Sequence, residues 1–306
     1  NRIEYGAFFN TPNLTSIIIP SSVISIDATA FLNSGVKNIF LENSSSITSL
    51  NIERGNGKLF FGAVGVNIYV INQIFSSPTG GELTSNLIGS IYSGENKLTT
   101  GAIIEGYTSI GKGAFQMAMN LSSVSIAETI TKIGDNSFQN TDLTSIYIPS
   151  SVTDIGNHAF YNCRQLESVN ISDINPKIVN IGNNTFEMCI NLTDINLPNT
   201  IRTIGEYAFY MCNKLNSINL VNNLPLFMTI IERSVFQESG LTSIIIPDFV
   251  KNIEPSAFQN SSLNTVVFTS NSQLKNIKDS AFDSVKITSF TIPNTVISIG
   301  SSAFAR

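Results

Sequence analysis

Residues 143–163 read Leu-Thr-Ser-Ile-Tyr-Ile-Pro-Ser-Ser-Val-Thr-Asp-Ile-Gly-Asn-His-Ala-Phe-Tyr-Asn-Cys, and the order of apolar residues in this stretch predicts how the chain folds. In its first part aliphatic residues occupy every second position, so that Ile146 and Ile148 share one face of a strand while Tyr147 lies on the other. The β-branched side chains favour that strand. Pro149 then ends it, because proline lacks the N–H that a β-ladder needs.

The second part of the stretch turns the chain back towards the same interior. Val152 and Ile155 form a second inward segment, and Gly156 marks a turn. Ala159 and Phe160 point inward again, and the small alanine leaves room for the ring at the centre. The whole stretch therefore predicts one coil wound around an apolar interior.

The same order of residues recurs along the chain. Apart from one gap, the closing phenylalanine returns every 22 to 27 residues. The series is Phe8, Phe31, Phe115, Phe138, Phe160, Phe186, Phe209, Phe236, Phe258, Phe282 and Phe304. A period of roughly 20–29 residues with an L-x-x-L-x-L core is typical of leucine-rich repeats.

One coil cannot bury its apolar face alone, so that neighbouring coils must stack and share a core. We predict an α/β leucine-rich-repeat solenoid, dominated by β-structure, of about eleven coils in a single domain over residues 1–306. Each coil should have one short strand on the concave face and a second short strand or turn. Short helical turns are expected elsewhere in the coil.

The repeat, Leu-Thr-Ser-Ile-x-Ile-Pro-x-x-Val-x-x-Ile-Gly-x-x-Ala-Phe-x-x-Cys, resembles the BspA-type leucine-rich repeat. Residues 143–163 and 287–304 match it most closely, and the resemblance covers residues 1–42 and 108–306. This resemblance implies a surface-exposed or secreted protein that adheres to host proteins or to other cells. The implied partner is a host or matrix protein, or another cell-surface protein.

The pattern breaks between Phe31 and Phe115, which are 84 residues apart. We expect residues 43–107 to form irregular or degenerate repeats with a protruding insertion, and a small inserted subdomain is the alternative. Residues 55–65 contain Gly-x-Gly but neither a third glycine at dinucleotide spacing nor a Gly-Lys-Ser/Thr motif. A glycine-rich turn is therefore the preferred interpretation.

The composition argues against several classes of function. The net charge is −5 and no basic cluster occurs, which disfavours a nucleic-acid-binding protein. No run of eighteen apolar residues exists, so that we expect no membrane insertion. His158 is the only histidine and occupies a variable slot, whereas catalytic triads and most zinc sites need histidine with partners.

The carboxylates fall at differing slots, and a general acid–base pair needs two that converge. We interpret four of them as solvated surface groups: Asp135, Asp154, Glu187 and Glu206. The sequence therefore predicts no enzyme, no cofactor and no metal site.

Three cysteines form a column in consecutive coils. Cys163, Cys189 and Cys212 each lie three residues after the repeat phenylalanine. Buried free thiols that pack as small apolar groups are the preferred interpretation. A disulfide between neighbouring coils is the alternative, and metal binding is not expected because no second set of ligands accompanies them.

The outward residues of the first strand form two columns on the predicted concave face. The outer column is small and polar, and the adjacent one is asparagine-rich in the middle but apolar near both ends. The candidate protein-binding residues are Ser145, Tyr147, Ser168, Asn170, Asp194, Asn196, Ser217 and Asn219. Such residues suit a broad, nearly neutral protein contact, and equally they would serve to keep a strand face soluble.

These features predict a non-catalytic binding scaffold, extracellular or on the cell surface, that acts in adhesion or protein recognition. The alternative is a structural spacer or stalk that displays other domains or assembles end to end. The chain starts with Asn1, and residues 3–8 and 299–304 occupy the same slots of the repeat. We therefore expect it to be a segment of a longer protein.

Overall fold

The architecture is that of a computed structural model, which describes residues 2–20, 22–23, 25–27, 30–31, 33–36, 38–43, 67–77, 79–84, 101–220, 228–289 and 291–306. Within these residues the chain is a β-solenoid of stacked parallel strands. The first strands of the coils are β2 (Ser16–Ile19), β4 (Asn38–Asn43), β5 (Asn67–Ser76), β7 (Gly101–Glu105), β9 (Ser123–Ile126), β11 (Ser145–Ile148), β13 (Ser168–Ile171), β15 (Asp194–Asn196), β18 (Ser243–Ile246) and β20 (Thr265–Phe268).

A second row of two-residue strands follows in the coils, as the sequence predicts. These strands are β1 (Arg2–Ile3), β3 (Ser25–Ile26), β6 (Glu82–Leu83), β8 (Ser109–Ile110), β10 (Lys132–Ile133), β12 (Asp154–Ile155), β14 (Asn180–Ile181), β16 (Thr203–Ile204), β17 (Ile230–Ile231), β19 (Asn252–Ile253), β21 (Asn276–Ile277) and β22 (Ser298–Ile299). The first strands pair in the orders β2-β4-β5-β7-β9, β11-β13-β15 and β18-β20. The short strands pair as β1-β3, β6-β8-β10-β12-β14-β16 and β17-β19-β21-β22.

The register of the first strands pairs buried aliphatic residues with each other and exposed residues with each other. Ile146 lies opposite Val169, which lies opposite Ile195, and all three side chains are buried. Tyr147 lies opposite Asn170, and both are exposed. Because successive residues of a strand point to opposite faces, the sequence alternation selects which column lines the core.

Stacked phenylalanine rings fill the interior of the described coils, and this confirms the predicted central aromatic. From Phe115 to Phe304 each ring stacks on the ring of the next coil, with centroids 5.0–5.6 Å apart and planes 2–16° from parallel. Phe8 and Phe31 stack in the same way at 4.9 Å. Ala159 and Phe160 are both fully buried, so that the small alanine does leave space for the ring.

The segments around each spine phenylalanine are turns. No helix occurs in the described residues, and the prediction of short helical turns is wrong. The reason is which carbonyl groups accept the backbone N–H groups of these turns. The N–H groups of Phe115 and Met117 donate along the stack to the carbonyls of Ser137 and Gln139 in the next coil, whereas an α-helix needs these donors for its own i−4 carbonyls.

Backbone angles also exclude a helix in these turns. The residues two before and two after the spine phenylalanine adopt positive φ, as at Asn136 (56°) and Asn140 (57°) around Phe138. A right-handed helix needs negative φ throughout, and asparagine and glycine tolerate the left-handed region best. This requirement explains why those slots are rich in asparagine.

The irregular segment shares the first-strand sheet where it is described. β5 pairs with β4 from Asn67 to Asn72 and with β7 from Asn72 to Ser76. Phe75 is buried and meets the Phe115 ring edge-on, with centroids 5.6 Å apart. The glycine-rich stretch at residues 55–65 and most of the expected insertion lie outside the described residues, and the organisation of residues 43–107 stays a prediction.

Candidate binding face

The outward side of the first strands is called here the first-strand face, and the eight candidate residues occupy four consecutive coils of it. Ser145, Ser168 and Asp194 are in register in one column, and Tyr147, Asn170 and Asn196 are in register in the other. Ser217 and Asn219 follow in the next coil, in a stretch that forms no strand. Ser168 is half-buried and the other seven are exposed, with Tyr147 at 51%.

The same face becomes apolar away from the asparagine-rich middle. Ile245 and Val267 are cross-strand partners in the second column, and they are 48% and 45% exposed. Ile18 is 60% exposed in an earlier coil. The first-strand face thus combines a neutral polar centre with aliphatic side chains further along the stack.

Five polar side chains of this face make no hydrogen bond to the protein itself. Among the described residues, the side chains of Ser145, Ser168, Asn170, Asn196 and Ser217 make no hydrogen bond to another protein group. Their donors and acceptors therefore face solvent from a backbone that the parallel ladders hold in place. Solvent-facing polar atoms on a rigid frame are available to a partner.

A column of threonines directly precedes the outer column in sequence, and its side chains do bond to other protein groups. The hydroxyls of Thr144, Thr193 and Thr242 donate to the preceding coil's carbonyl oxygens at 3.3, 3.0 and 3.4 Å. Their hydroxyls tie one coil to the next. The recurring Leu-Thr pair in the repeat carries this signal, and the sequence analysis missed it.

The turns that follow the short strands are called here the turn edge of the solenoid. Their polar side chains also form hydrogen bonds from one coil to the next. Asp135 Oδ1 accepts the Asn157 N–H at 2.9 Å, and Asn157 Oδ1 accepts the Asn183 N–H at 2.8 Å. Asn183 Oδ1 in turn accepts the Glu206 N–H at 3.0 Å. Asp135 is therefore a half-buried surface residue that also belongs to a ladder of hydrogen bonds, so that it is bonded as well as solvated. Glu206 itself is exposed.

The short-strand sheet carries a second polar ladder. Asn180 Nδ2 donates to Asp154 Oδ1 at 2.9 Å, and Thr203 Oγ1 donates to Asn180 Oδ1 at 2.8 Å. The bonds from Asn180 and Thr153 lower the pKa of Asp154, because they favour its charged form. Asp154 is thus also bonded rather than simply solvated. Glu187 accepts a bond from Asn184 in its own coil.

His158 has a structural explanation. It holds one of the positive-φ slots, with φ at 55°, and its N–H donates to the Asn183 carbonyl at 2.9 Å. Its ring is half-buried and lies 5.6 Å from the Tyr161 ring. In the part of the chain that the structure describes, no group of three or more His, Cys, Asp and Glu side chains could hold a metal ion.

The three cysteines are buried free thiols, which confirms the preferred interpretation. The Sγ atoms of Cys163, Cys189 and Cys212 donate to the carbonyl oxygens of Phe138, Phe160 and Phe186 at 3.0, 3.1 and 3.2 Å. Burial raises the pKa of Cys163 to about 11 and raises those of Cys189 and Cys212 as well. Since the thiolate is the reactive form, these groups are not nucleophiles at neutral pH.

A sequence profile described as BspA type Leucine rich repeat region matches residues 1–53, 87–179 and 179–306, with six copies. The chain belongs to this family. The match confirms the resemblance seen in the repeat, and it extends into the irregular segment over residues 43–53 and 87–107. No curated protein matches the chain.

Several solved structures resemble this BspA-type chain. The pneumococcal vaccine antigen PcpA is 19% identical at a TM-score of 0.47, over 77% of this chain and 59% of that one. A leucine rich cell surface protein of Faecalibacterium prausnitzii A2-165 is 20% identical at 0.41, over 94% and 79%. A leucine-rich repeat protein of Bacteroides ovatus ATCC 8483 is 18% identical at 0.43, over 99% and 79%. The chain thus spans less than two thirds of the length of PcpA.

Among the described residues, the BspA-type coils include no helix with the length and apolar character needed to cross a membrane.

Proposed function

We propose that this BspA-type chain is a non-catalytic binding scaffold that recognises partner proteins through the first-strand face. The supporting observation is the contrast between faces. Polar side chains at the turn edge and on the short-strand sheet bond from coil to coil, as at Asn157 and Asn180. On the first-strand face the side chains of Asn170 and Asn196 do not, so that their hydrogen-bonding capacity remains for a partner.

The chemistry of the face supports binding rather than catalysis. Asp194 is the one charged residue among the eight candidates, and general acid–base chemistry needs a second titratable group held beside it. The remaining hydroxyls and amides suit neutral hydrogen bonding, and Tyr147 adds a half-exposed ring, a side chain enriched at protein interfaces.

The proposed location is extracellular or on the cell surface, and the proposed biological role is adhesion or recognition of another protein. Family membership supports this proposal, because resemblance to BspA-type repeats implies surface exposure. Host, matrix and other cell-surface proteins are the partner class to test first.

Binding assays with a face variant test the function. The immobilised full chain is exposed to a panel of extracellular-matrix proteins and to whole cells, beside the triple variant Tyr147→Ala, Asn170→Ala, Asn196→Ala. Thr229→Ala serves as the control, because Thr229 is exposed next to the short-strand sheet. Loss of at least about tenfold in affinity in the triple variant alone supports the proposal.

Two results count against it. One is a folded chain that binds nothing in the panel, and the other is binding that the triple variant leaves unchanged. If the chain instead self-associates with rising concentration and binds no partner, a structural spacer that assembles end to end becomes the better description.

A further inference from the structure

We propose that the turn edge carries a second binding site, which receives an arginine side chain of a partner protein. The site is called here the Glu187 patch, and it lies on a different face from the candidate residues of the first strands. It consists of His158, Tyr161, Asn184, Glu187, Tyr207 and Tyr210. The inference goes beyond the proposed function, because the two sites share no residue.

Three consecutive coils place the central residues of the patch in the same slot of the turn. Tyr161, Glu187 and Tyr210 each follow a spine phenylalanine by one position. Backbone bonds keep them in this order along the stack. The Asn162 N–H donates to the Glu187 carbonyl at 2.8 Å, and the Met188 N–H donates to the Tyr210 carbonyl at 2.9 Å. Glu187 therefore lies between the two tyrosines.

Each of these tyrosines has an aromatic neighbour three residues earlier in its own coil. The His158 and Tyr161 ring centroids are 5.6 Å apart with planes at 54°, and those of Tyr207 and Tyr210 are 5.9 Å apart with planes at 80°. All four residues are half-buried, so that part of each reaches solvent. The face of a tyrosine ring attracts a cation, and a cation above Glu187 has tyrosines in the coils on both sides.

The Glu187 carboxylate is held in place but has an open oxygen. Its Oε2 accepts a hydrogen bond from Asn184 Nδ2, and the residue is half-buried. Its Oε1 accepts no hydrogen bond from any protein group in the described part of the chain. A fixed carboxylate oxygen without a donor is a strong acceptor for a charged N–H group.

Negative charges around the patch have no cationic partner. The turns at residues 156–164, 182–190, 205–213, 232–240 and 254–262 contain five glutamates and two arginines, which are Glu187, Glu206, Glu232, Glu238, Glu254, Arg164 and Arg233. Among the described residues, none of these glutamates forms an ion pair with a lysine or arginine. Arg164 instead donates to Asn162 Oδ1 at 2.8 Å. The turn edge therefore attracts a positively charged partner.

The crowding of these carboxylates also affects the groups beside them. Burial raises the pKa of Glu232, and two neighbouring glutamates raise it further. Burial likewise raises the pKa of Tyr210, and the nearby charges of Glu238 and Glu187 add to that effect. The Tyr210 hydroxyl donates to Glu238 Oε1 at 3.4 Å. A bound cation would reduce this repulsion between like charges.

The combination of rings and carboxylate favours arginine over lysine. A guanidinium is planar, so that it can stack on a ring while its edge donates to a carboxylate. A lysine ammonium is a compact and strongly hydrated point charge that uses ring faces less well. Tyr161 and Tyr210 supply the faces, and Glu187 Oε1 supplies the acceptor.

NMR titration with synthetic peptides tests the inference. The probe is a blocked, flexible peptide of about eight residues that contains one arginine among glycines and serines. Two control peptides carry citrulline, which is neutral, or lysine at the arginine position. The ring signals of Tyr161 and Tyr210 report contact and give the affinities.

The arginine peptide should bind at least about tenfold tighter than the citrulline peptide and should shift both ring signals. Glu187→Gln should weaken it by about tenfold and Tyr210→Leu by about fivefold. Tyr210→Phe, which retains the ring, should weaken it less than Tyr210→Leu. Glu167→Gln is the matched control, because Glu167 is exposed just before the first strand Ser168–Ile171, and it should change the affinity by less than about twofold.

Circular dichroism and the urea midpoint of each variant show whether a loss of binding reflects misfolding. Three results overturn the inference. They are equal affinities for arginine and citrulline peptides, equal affinities for arginine and lysine peptides, and equal losses in Glu187→Gln and Glu167→Gln. None of these results affects the proposed function, because the panel assay tests the first-strand face with a variant that leaves the Glu187 patch intact.

Discussion

Replacing Phe160 by alanine tests the aromatic spine in the middle of the stack. The Phe160 ring is fully buried and lies between the rings of Phe138 and Phe186, with both centroid distances at 5.3 Å and interplanar angles of 5° and 4°. In a solenoid, stability is a sum over neighbouring coils. A change in this ring therefore weakens two interfaces at once.

The expected loss can be worked from these contacts. Truncating a fully buried phenylalanine costs about 3–5 kcal/mol, which includes the cavity that remains. Each ring pair contributes about 0.5–1.5 kcal/mol beyond the area that it buries, and Phe160 makes two such pairs. Phe304 is 37% exposed and stacks on Phe282 in the described structure, so that Phe304→Ala should cost less than half as much.

Urea unfolding followed by circular dichroism measures both variants. A double-mutant cycle adds a sharper comparison, because Phe138→Ala and Phe160→Ala alter rings in contact, whereas Phe160→Ala and Phe258→Ala do not. The adjacent pair should be coupled by about 0.5–3 kcal/mol, and the distant pair should be additive within about 0.5 kcal/mol.

The reasoning fails if the two single variants at Phe160 and Phe304 lose the same stability. It also fails if Phe160→Ala costs less than about 1 kcal/mol, because a ring buried on both sides cannot be removed so cheaply. Equal coupling for adjacent and distant pairs would show that the rings do not act through neighbouring coils.

Three further predictions concern single slots of the repeat. His158→Gly should preserve or raise stability and His158→Val should lower it by about 1 kcal/mol, since φ there is 55°; urea midpoints measure both, and the reverse order contradicts the backbone argument. The native pKa of Asp154 is depressed, so that its contribution is present above the unfolded pKa of about 4 and is lost as pH falls through the folded value. Asp154→Asn should flatten the acid side of the stability curve below about pH 4, and an unchanged curve would contradict this. Cys163 should resist alkylation at pH 8 until urea unfolds the chain, because its pKa is about 11 and its thiol is buried; rapid labelling of the native protein would refute this.

Most of the coil was predictable from residue order. The alternation around Ile146 and Ile148 predicted the first strand, and the recurring phenylalanine predicted a buried spine, because burying apolar side chains is a local requirement of every coil. The helical turns were wrong for a different reason. Sequence periodicity does not show whether an amide such as Phe115 N–H bonds within its own coil or to the next one.

The sequence predicted where the candidate face lies, but it did not predict which polar side chains bond to other protein groups. Alternation places Tyr147 and Asn170 outside the core, and the structure agrees. The sequence does not distinguish the free amide of Asn170 from the bonded amide of Asn180, since both are asparagines next to inward isoleucines. Only the pairing of neighbouring coils reveals that Asn180 donates to Asp154.

Residue order alone predicted a stack of coils with a phenylalanine spine, and it favoured a column of buried thiols over a disulfide between neighbouring coils. These features depend on which side chains are apolar and therefore buried. Each unit of the repeat carries that apolar pattern in its own sequence. Only the stacked coils show which polar groups bond from coil to coil and which face solvent. That distinction depends on distances between residues 22 to 26 positions apart, and such distances exist only once the coils are stacked.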